Sequence, residues 1–136
     1  MKPSFLNCEK PLITTMIQKK QISDVMYTIE KTLEVGTDAS CVQLCKLLPK
    51  FQNAECYKKI FSKMQGKPIY ATNYRRGSNE GLSDEVLAEG LIEIAKCGAT
   101  LCDVMGDIFD KHPDELTMDP IAVDKQKRLI DDMYLL

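Results

Sequence analysis

Short apolar runs begin near Pro11, Ala39, Pro68 and Ala99, so strand-like segments recur about every thirty residues along a chain of 136. Between them lie polar stretches with apolar residues at helical spacing. Val25, Met26, Ile29 and Leu33 form one such stripe, and Leu87, Leu91, Ile94 and Ala95 form another. Stripes of this kind bury one side of a helix against a sheet. Gly36, Gly66 and Gly98 stand just ahead of the last three runs, where glycine supplies the left-handed conformation that closes a helix. Ser23-Asp24, Ser83-Asp84 and Asp119-Pro120 mark helix starts, each placing a capping oxygen or a proline at the first turn. The second helix is predicted from about Asn53 to Met64, after the break at Pro49, with Cys56, Tyr57, Ile60, Phe61 and Met64 as its apolar set.

Strands that alternate with helices pair in parallel, because each helix carries the chain back to the start of the next strand. Four consecutive βα units filling residues 1–136 as one domain amount to half of a (β/α)8 TIM barrel. A small flavodoxin-like doubly wound sheet, built from the same four strands and helices, is the alternative.

Composition narrows the class. With 44% hydrophobic and 28% charged residues the chain is an ordinary globular domain. The formal net charge is −2 and the lysines are spread over all the helices, so no nucleic-acid partner is expected. No apolar run has spanning length and Met1–Lys10 has no signal-peptide core, so the expectation is no membrane association and a cytoplasmic setting. Cysteines 8, 41, 45, 56, 97 and 102 fall on predicted strands and helix faces without a C-x-x-C pair. They are expected to be reduced, mostly buried thiols instead of disulfides or zinc ligands. The single histidine, His112, precedes Pro113 in a predicted surface loop, and neither metal nor cofactor is expected.

In parallel α/β folds, ligands sit beyond the carboxyl ends of the strands. Those places hold Thr14, Thr15 and Gln18 in the first unit, Gln43, Cys45 and Lys46 in the second, Thr72 to Glu80 in the third, and Asp103 and Asp107 in the fourth. Arg75 and Arg76 share a glycine-bearing loop with Glu80, a set able to clamp an anion because guanidinium forks match carboxylate and phosphate geometry. Gly77 and Gly81 lack the following Lys-Ser/Thr of a phosphate loop. Asp103 and Asp107 are candidates for a hard cation such as magnesium or for orienting a catalytic group. No Ser-His-Asp or Cys-His arrangement is available.

Taken together, these residues resemble the N-terminal half of the type I 3-dehydroquinate dehydratase family. The resemblance rests on the order of units, on Gln43-Leu44-Cys45 where that family has a Glu-Leu-Arg strand, on Thr72 to Gly81 where it has a strand ending in arginine followed by Glu-Gly, and on Asp103-Val104-Met105 where it has Asp-x-Glu. It implies a (β/α)8 barrel that dehydrates 3-dehydroquinate to 3-dehydroshikimate in the shikimate pathway, with a lysine forming an imine and a histidine moving protons. It further implies that Arg75 or Arg76 and Glu80 hold a small anionic carboxylate substrate and that Asp103 supports the catalytic groups. Gln43 and Cys45 stand where the family has a base and a cation, and their replacement alters substrate preference. The family's histidine and lysine lie on the fifth and sixth strands, beyond Leu136, so this chain by itself is expected to carry no catalytic residue and no lyase activity.

Half of a barrel exposes its inner face and leaves its first and fourth strands as open edges. Two copies could close into a two-fold, eight-stranded homodimer or another homo-oligomer. Two other functions fit the residues: a non-catalytic anion-binding or self-assembling module using the Arg75-Arg76 loop, and a magnesium-assisted enzyme using Asp103 and Asp107.

Overall fold

Gly36 (φ 87°), Gly66 (φ 82°) and Gly98 (φ 120°) take left-handed backbone and turn the chain out of the first three helical segments. The computed structural model describes residue 5 and residues 9–111. Among these, β1 (Thr14–Ile17), α1 (Ile22–Glu34), β2 (Ala39–Gln43), α2 (Ala54–Ser62), β3 (Ile69–Thr72), α3 (Asp84–Lys96), β4 (Leu101–Asp103) and α4 (Gly106–Lys111) follow one another, with single 3-10 turns at Leu44–Lys46, Pro49–Phe51 and Gly77–Asn79. The protein is an α/β fold of alternating βα units. Its four strands form one sheet in the order β1-β2-β3-β4, and every pair is parallel.

Register divides the strand residues between two faces, because paired residues in a parallel ladder point the same way. Ile17 pairs with Val42 and Val42 with Ala71, and two residues earlier Ser40 pairs with Ile69 on the same face. Ile17, Val42, Ile69 and Ala71 join Val25 and Ile29 of α1, Tyr57, Ile60 and Phe61 of α2, Met64, and Ile94 of α3 in one buried cluster. Of the apolar residues on the opposite face (Met16, Ala39, Cys41 and Leu101), none belongs to that cluster. The three long helices therefore pack on one side of the sheet. A smaller cluster of Leu87, Ala88 and Ile108 seats α4 against α3.

Local signals account for the helix ends. Asn53 caps α2 by accepting from the Cys56 amide at 3.0 Å, and Ser83 caps α3 by accepting from Val86 at 3.3 Å. At α1 the expected cap is displaced. Gln21 occupies the capping position without a side-chain bond, and the Val25 amide already donates to the Gln21 carbonyl at 3.1 Å, so Ser23 and Asp24 lie inside the first turn. β1 begins at Thr14, three positions after Pro11, which places Thr14 and Thr15 within the strand instead of beyond it. β2 stops at Gln43 because Leu44–Lys46 winds into a 3-10 turn, so Cys45 and Lys46 leave the strand. A fourth helix starts at Gly106, two residues past the end of β4. The helix start at Asp119-Pro120, His112 and Leu136 lie outside the described residues. No helix among the described residues is long and apolar enough to cross a membrane.

Two substitutions separate packing from polar burial. Ile60 is fully buried under the sheet, and Ile60→Ala should cost about 2–5 kcal/mol in urea unfolding. Ser40 lies on the helix-covered face with a buried hydroxyl that has no partner among the described residues. Ser40→Ala removes an unpaired donor at little loss of volume and should leave stability unchanged or raise it by about 1 kcal/mol. A large loss in that variant would show that the hydroxyl is bonded.

Candidate functional site

Gln43, Thr72 and Asp103 are the last residues of β2, β3 and β4, and the ladders set them side by side in one row. Register puts the row on the face opposite α1, α2 and α3, at the carboxyl ends of the strands. Gln43 is 7% exposed and Thr72 1%. The Gln43 Nε2 donates to Met16 Sδ at 3.6 Å, which orients the amide, since its oxygen would be repelled by the sulfur. That leaves Gln43 Oε1 with no hydrogen-bond partner among the described residues, and Thr72 Oγ1 is likewise unpaired there. Each buried, unpaired polar atom costs about 1–3 kcal/mol, so two in one row mark a place that expects an incoming partner.

Asp103 is better served. The Tyr74 hydroxyl donates to Asp103 Oδ2, and Tyr70 lies near enough for this carboxylate to raise its pKa. Burial first, then the Asp103 carboxylate, push both tyrosines well above the ordinary phenol range. They remain protonated donors throughout the physiological range. Cys41, on the same face, is pushed up to about 11 by burial and by Asp103.

The loop after β3 is anchored from several sides. Gly77 (φ 65°) comes so close to the chain after β2 that a Cβ there would lie 2.6 Å from the Cys45 carbonyl oxygen. Asn79, 1% exposed, donates to Asn73 Oδ1 at 2.7 Å, and a Cβ on Gly90 of α3 would lie 2.8 Å from the Asn73 amide. Arg75 completes the anchoring. Its Nε donates to Asp84 Oδ1 at 3.0 Å and its Nη2 to Asp107 Oδ2 at 2.8 Å, joining the loop to the starts of α3 and α4. The hydrogen bond from Arg75 lowers the Asp107 pKa.

The expected site residues thus separate into two groups. Gln43 and Asp103 come together, joined by Thr72. Arg75 is committed to two carboxylates of the protein. Arg76 is exposed and stacks over the Tyr74 ring at 5.4 Å. Glu80 is exposed and bonds no other described side chain. Cys45 is fully buried within the 3-10 turn Leu44–Lys46. Asp103 and Asp107 serve different partners, and among the described residues no group of three His, Cys, Asp or Glu side chains converges as a metal site. Sequence reasoning passed over Tyr70, Met16 and the individual roles of Thr72 and Tyr74. The signal for Thr72 and Tyr70 was the two-residue alternation that sends them away from Ala71. Neither known protein-family models nor curated proteins match this chain.

Two titrations test these electrostatics. The Cys41 thiol is held neutral, so its folding contribution is complete below the unfolded thiol pKa of about 8.5 and is lost as pH rises toward 11. Iodoacetamide labelling read by peptide mass spectrometry should show Cys41 reacting with an apparent pKa of about 11, and peptide-like labelling at pH 8 would contradict its burial. Asp107 has the opposite sign. Its folded pKa is depressed, so its contribution is present above the unfolded carboxylate value of about 4 and disappears as pH falls through the folded value. The stability gap between the native chain and Asp107→Asn should be measurable at pH 7 and close in acid. A gap that persists unchanged at pH 2 would show that Arg75 pairing is not its origin.

Proposed function

We propose that this chain forms one half of a barrel that carries Schiff-base dehydratase chemistry of the type I 3-dehydroquinate dehydratase kind. The observation that carries this reading is the row Gln43-Thr72-Asp103, polar and partly unpaired, on the face turned away from the helices and at the carboxyl ends of parallel strands. In a barrel that face is the interior, and that end meets the substrate. Sequential strand order with α1, α2 and α3 on one side supports the half-barrel, although a run of this kind also fits one flank of a doubly wound sheet. β1 and β4 are the edges of the described sheet, and a second copy or a complementary half would close them. The cytoplasm is the setting such an enzyme half would occupy.

The chemistry divides between the halves. None of the four strands contains a lysine, so the amine must come from elsewhere. Its nitrogen condenses with a substrate ketone and releases water. The resulting imine acidifies the adjacent C–H, a base removes that proton, and the β-hydroxyl leaves with a proton as a second water. Hydrolysis of the imine then returns the lysine. Asp103, which accepts from Tyr74, would stabilise the cationic imine and orient the departing hydroxyl. Arg75 cannot serve as the anion clamp while it spans Asp84 and Asp107, which weakens the anion-binding alternative. Separate partners for Asp103 and Asp107 weaken the magnesium alternative.

Borohydride trapping tests the reading. Mixed with a type I dehydratase fragment carrying strands five to eight and supplied with 3-dehydroquinate, the chain should promote a reduced covalent adduct on the fragment's lysine, seen by intact mass. The chain alone should gain no mass. Equal adduct formation by the fragment without this chain, or none in a mixture that co-elutes as a complex, would sink the proposal.

A further inference from the structure

Two side-chain amides converge on one thioether at the carboxyl ends of β1 and β2. Gln18 Nε2, one residue past β1, donates to Met16 Sδ at 2.9 Å, and Gln43 Nε2 reaches the same sulfur at 3.6 Å. A thioether is a weak acceptor, so both donors are poorly served. For Gln43 the mismatch is costly, because the residue is only 7% exposed and the sulfur is the one partner of its amide nitrogen among the described residues. Met16 itself is 56% exposed, within reach of a small solute. The other described methionines are placed differently. Met64 is fully buried, Met26 packs against the core, and the Met105 sulfur accepts from the Arg75 guanidinium at 3.7 Å.

We propose that Met16 is a reversible oxidation site whose sulfoxide is held by the Gln18 and Gln43 amides. The oxidant is a hydroperoxide, with hydrogen peroxide as the simplest case. A sulfur lone pair takes one peroxide oxygen as the O–O bond breaks; the proton on that oxygen passes to the departing hydroxide, which leaves as water. Sulfur loses two electrons and the peroxide gains them. A pair of thiols reverses the step, giving back the thioether with a disulfide and water. The sulfoxide oxygen carries much of the negative charge of the S–O bond and accepts far more strongly than sulfur. Oxidation therefore turns two weak contacts into N–H···O bonds, which offsets the usual penalty of placing a polar sulfoxide where an apolar side chain stood. It also ties the exposed Gln18 to the buried Gln43, so the end of the polar row stiffens in the oxidised chain. The inference goes beyond the barrel reading and does not depend on it, since it needs only these three side chains.

The test treats the full chain with hydrogen peroxide and follows peptide masses and side-chain amide NMR signals together. Met16 should gain oxygen about tenfold faster than Met26 or Met105, and well before Met64, because susceptibility follows exposure. As it does so, the Gln18 and Gln43 side-chain NH2 signals should move downfield, and a thiol-dependent sulfoxide reductase should return them. The melting temperature should rise by about 2–4 °C, after Met16→Leu treated in parallel has subtracted the other methionines. In the double variant Gln18→Leu/Gln43→Leu the same oxidation should lower it. Without any oxidant, Met16→Gln, which sets a carbonyl oxygen near the sulfoxide position, should melt above Met16→Leu. Amide signals that stay in place on oxidation, equal losses of stability in the native chain and the double variant, or a Met16 that reacts no faster than Met105 would each overturn the inference.

Discussion

The parallel register of β2, β3 and β4 is the constraint on which the rest of the structure depends. Val42 and Ala71 pair directly, and Ile69 pairs with Ser40, so the apolar positions on one face meet α1, α2 and α3 together. A slip of one residue would turn those side chains away from the helices and bring Cys41, Gln43 and Thr72 into the core. Burial of Val42 and Ala71 therefore determines where Gln43, Thr72 and Asp103 stand. The polar row is the geometric complement of the hydrophobic core.

Side-chain chemistry on the two faces is treated unequally. The helix side is apolar except for Thr15, which bonds Thr37, and Ser40, whose hydroxyl has no partner among the described residues. The other side accumulates polar groups at one end, and only some are satisfied. Around this end the loop after β3 is fixed by Gly77 against the Cys45 carbonyl, by the Asn73-Asn79 amide pair, and by Arg75 bridging α3 and α4. Such anchoring is unusual for a solvated loop and matches one that frames a binding surface. Arg75 acts here as a brace. Its exposed ion pairs gain little individually, but together they fix the loop to two helix starts.

Much of the fold was legible because glycine and hydrophobic period carry direct physical meaning. Gly36, Gly66 and Gly98 required left-handed backbone, and the Tyr57, Ile60, Phe61 and Met64 stripe had to be buried. Ser83 was recognisable as a cap; Ser23 was not one, because helix initiation at Gln21 came from backbone geometry without a side-chain bond. The site was legible only in part. Gln43 and Asp103 emerged from their place at strand ends, whereas Arg75 appeared to be a ligand group because its partners, Asp84 and Asp107, are remote in sequence and meet it only through packing. Cys45 was assigned to a strand because nothing in Leu44-Cys45-Lys46 announces a 3-10 turn.

The charge of the row bears on any imine chemistry carried out against it. A lysine brought near Asp103 by a second half would have its ammonium form favoured by the carboxylate, which works against nucleophilic attack. Once the imine has formed, the same carboxylate stabilises its cationic state, the one that makes the adjacent C–H acidic. The Tyr74 hydroxyl moderates both effects by drawing charge from Asp103 through its hydrogen bond. A tyrosine donor in place of an arginine therefore leaves a net negative charge for a cationic intermediate while softening its hold on a free lysine. An arginine at the same place would satisfy the carboxylate more fully and attract an anionic substrate, but it would cancel the charge that the cationic imine needs.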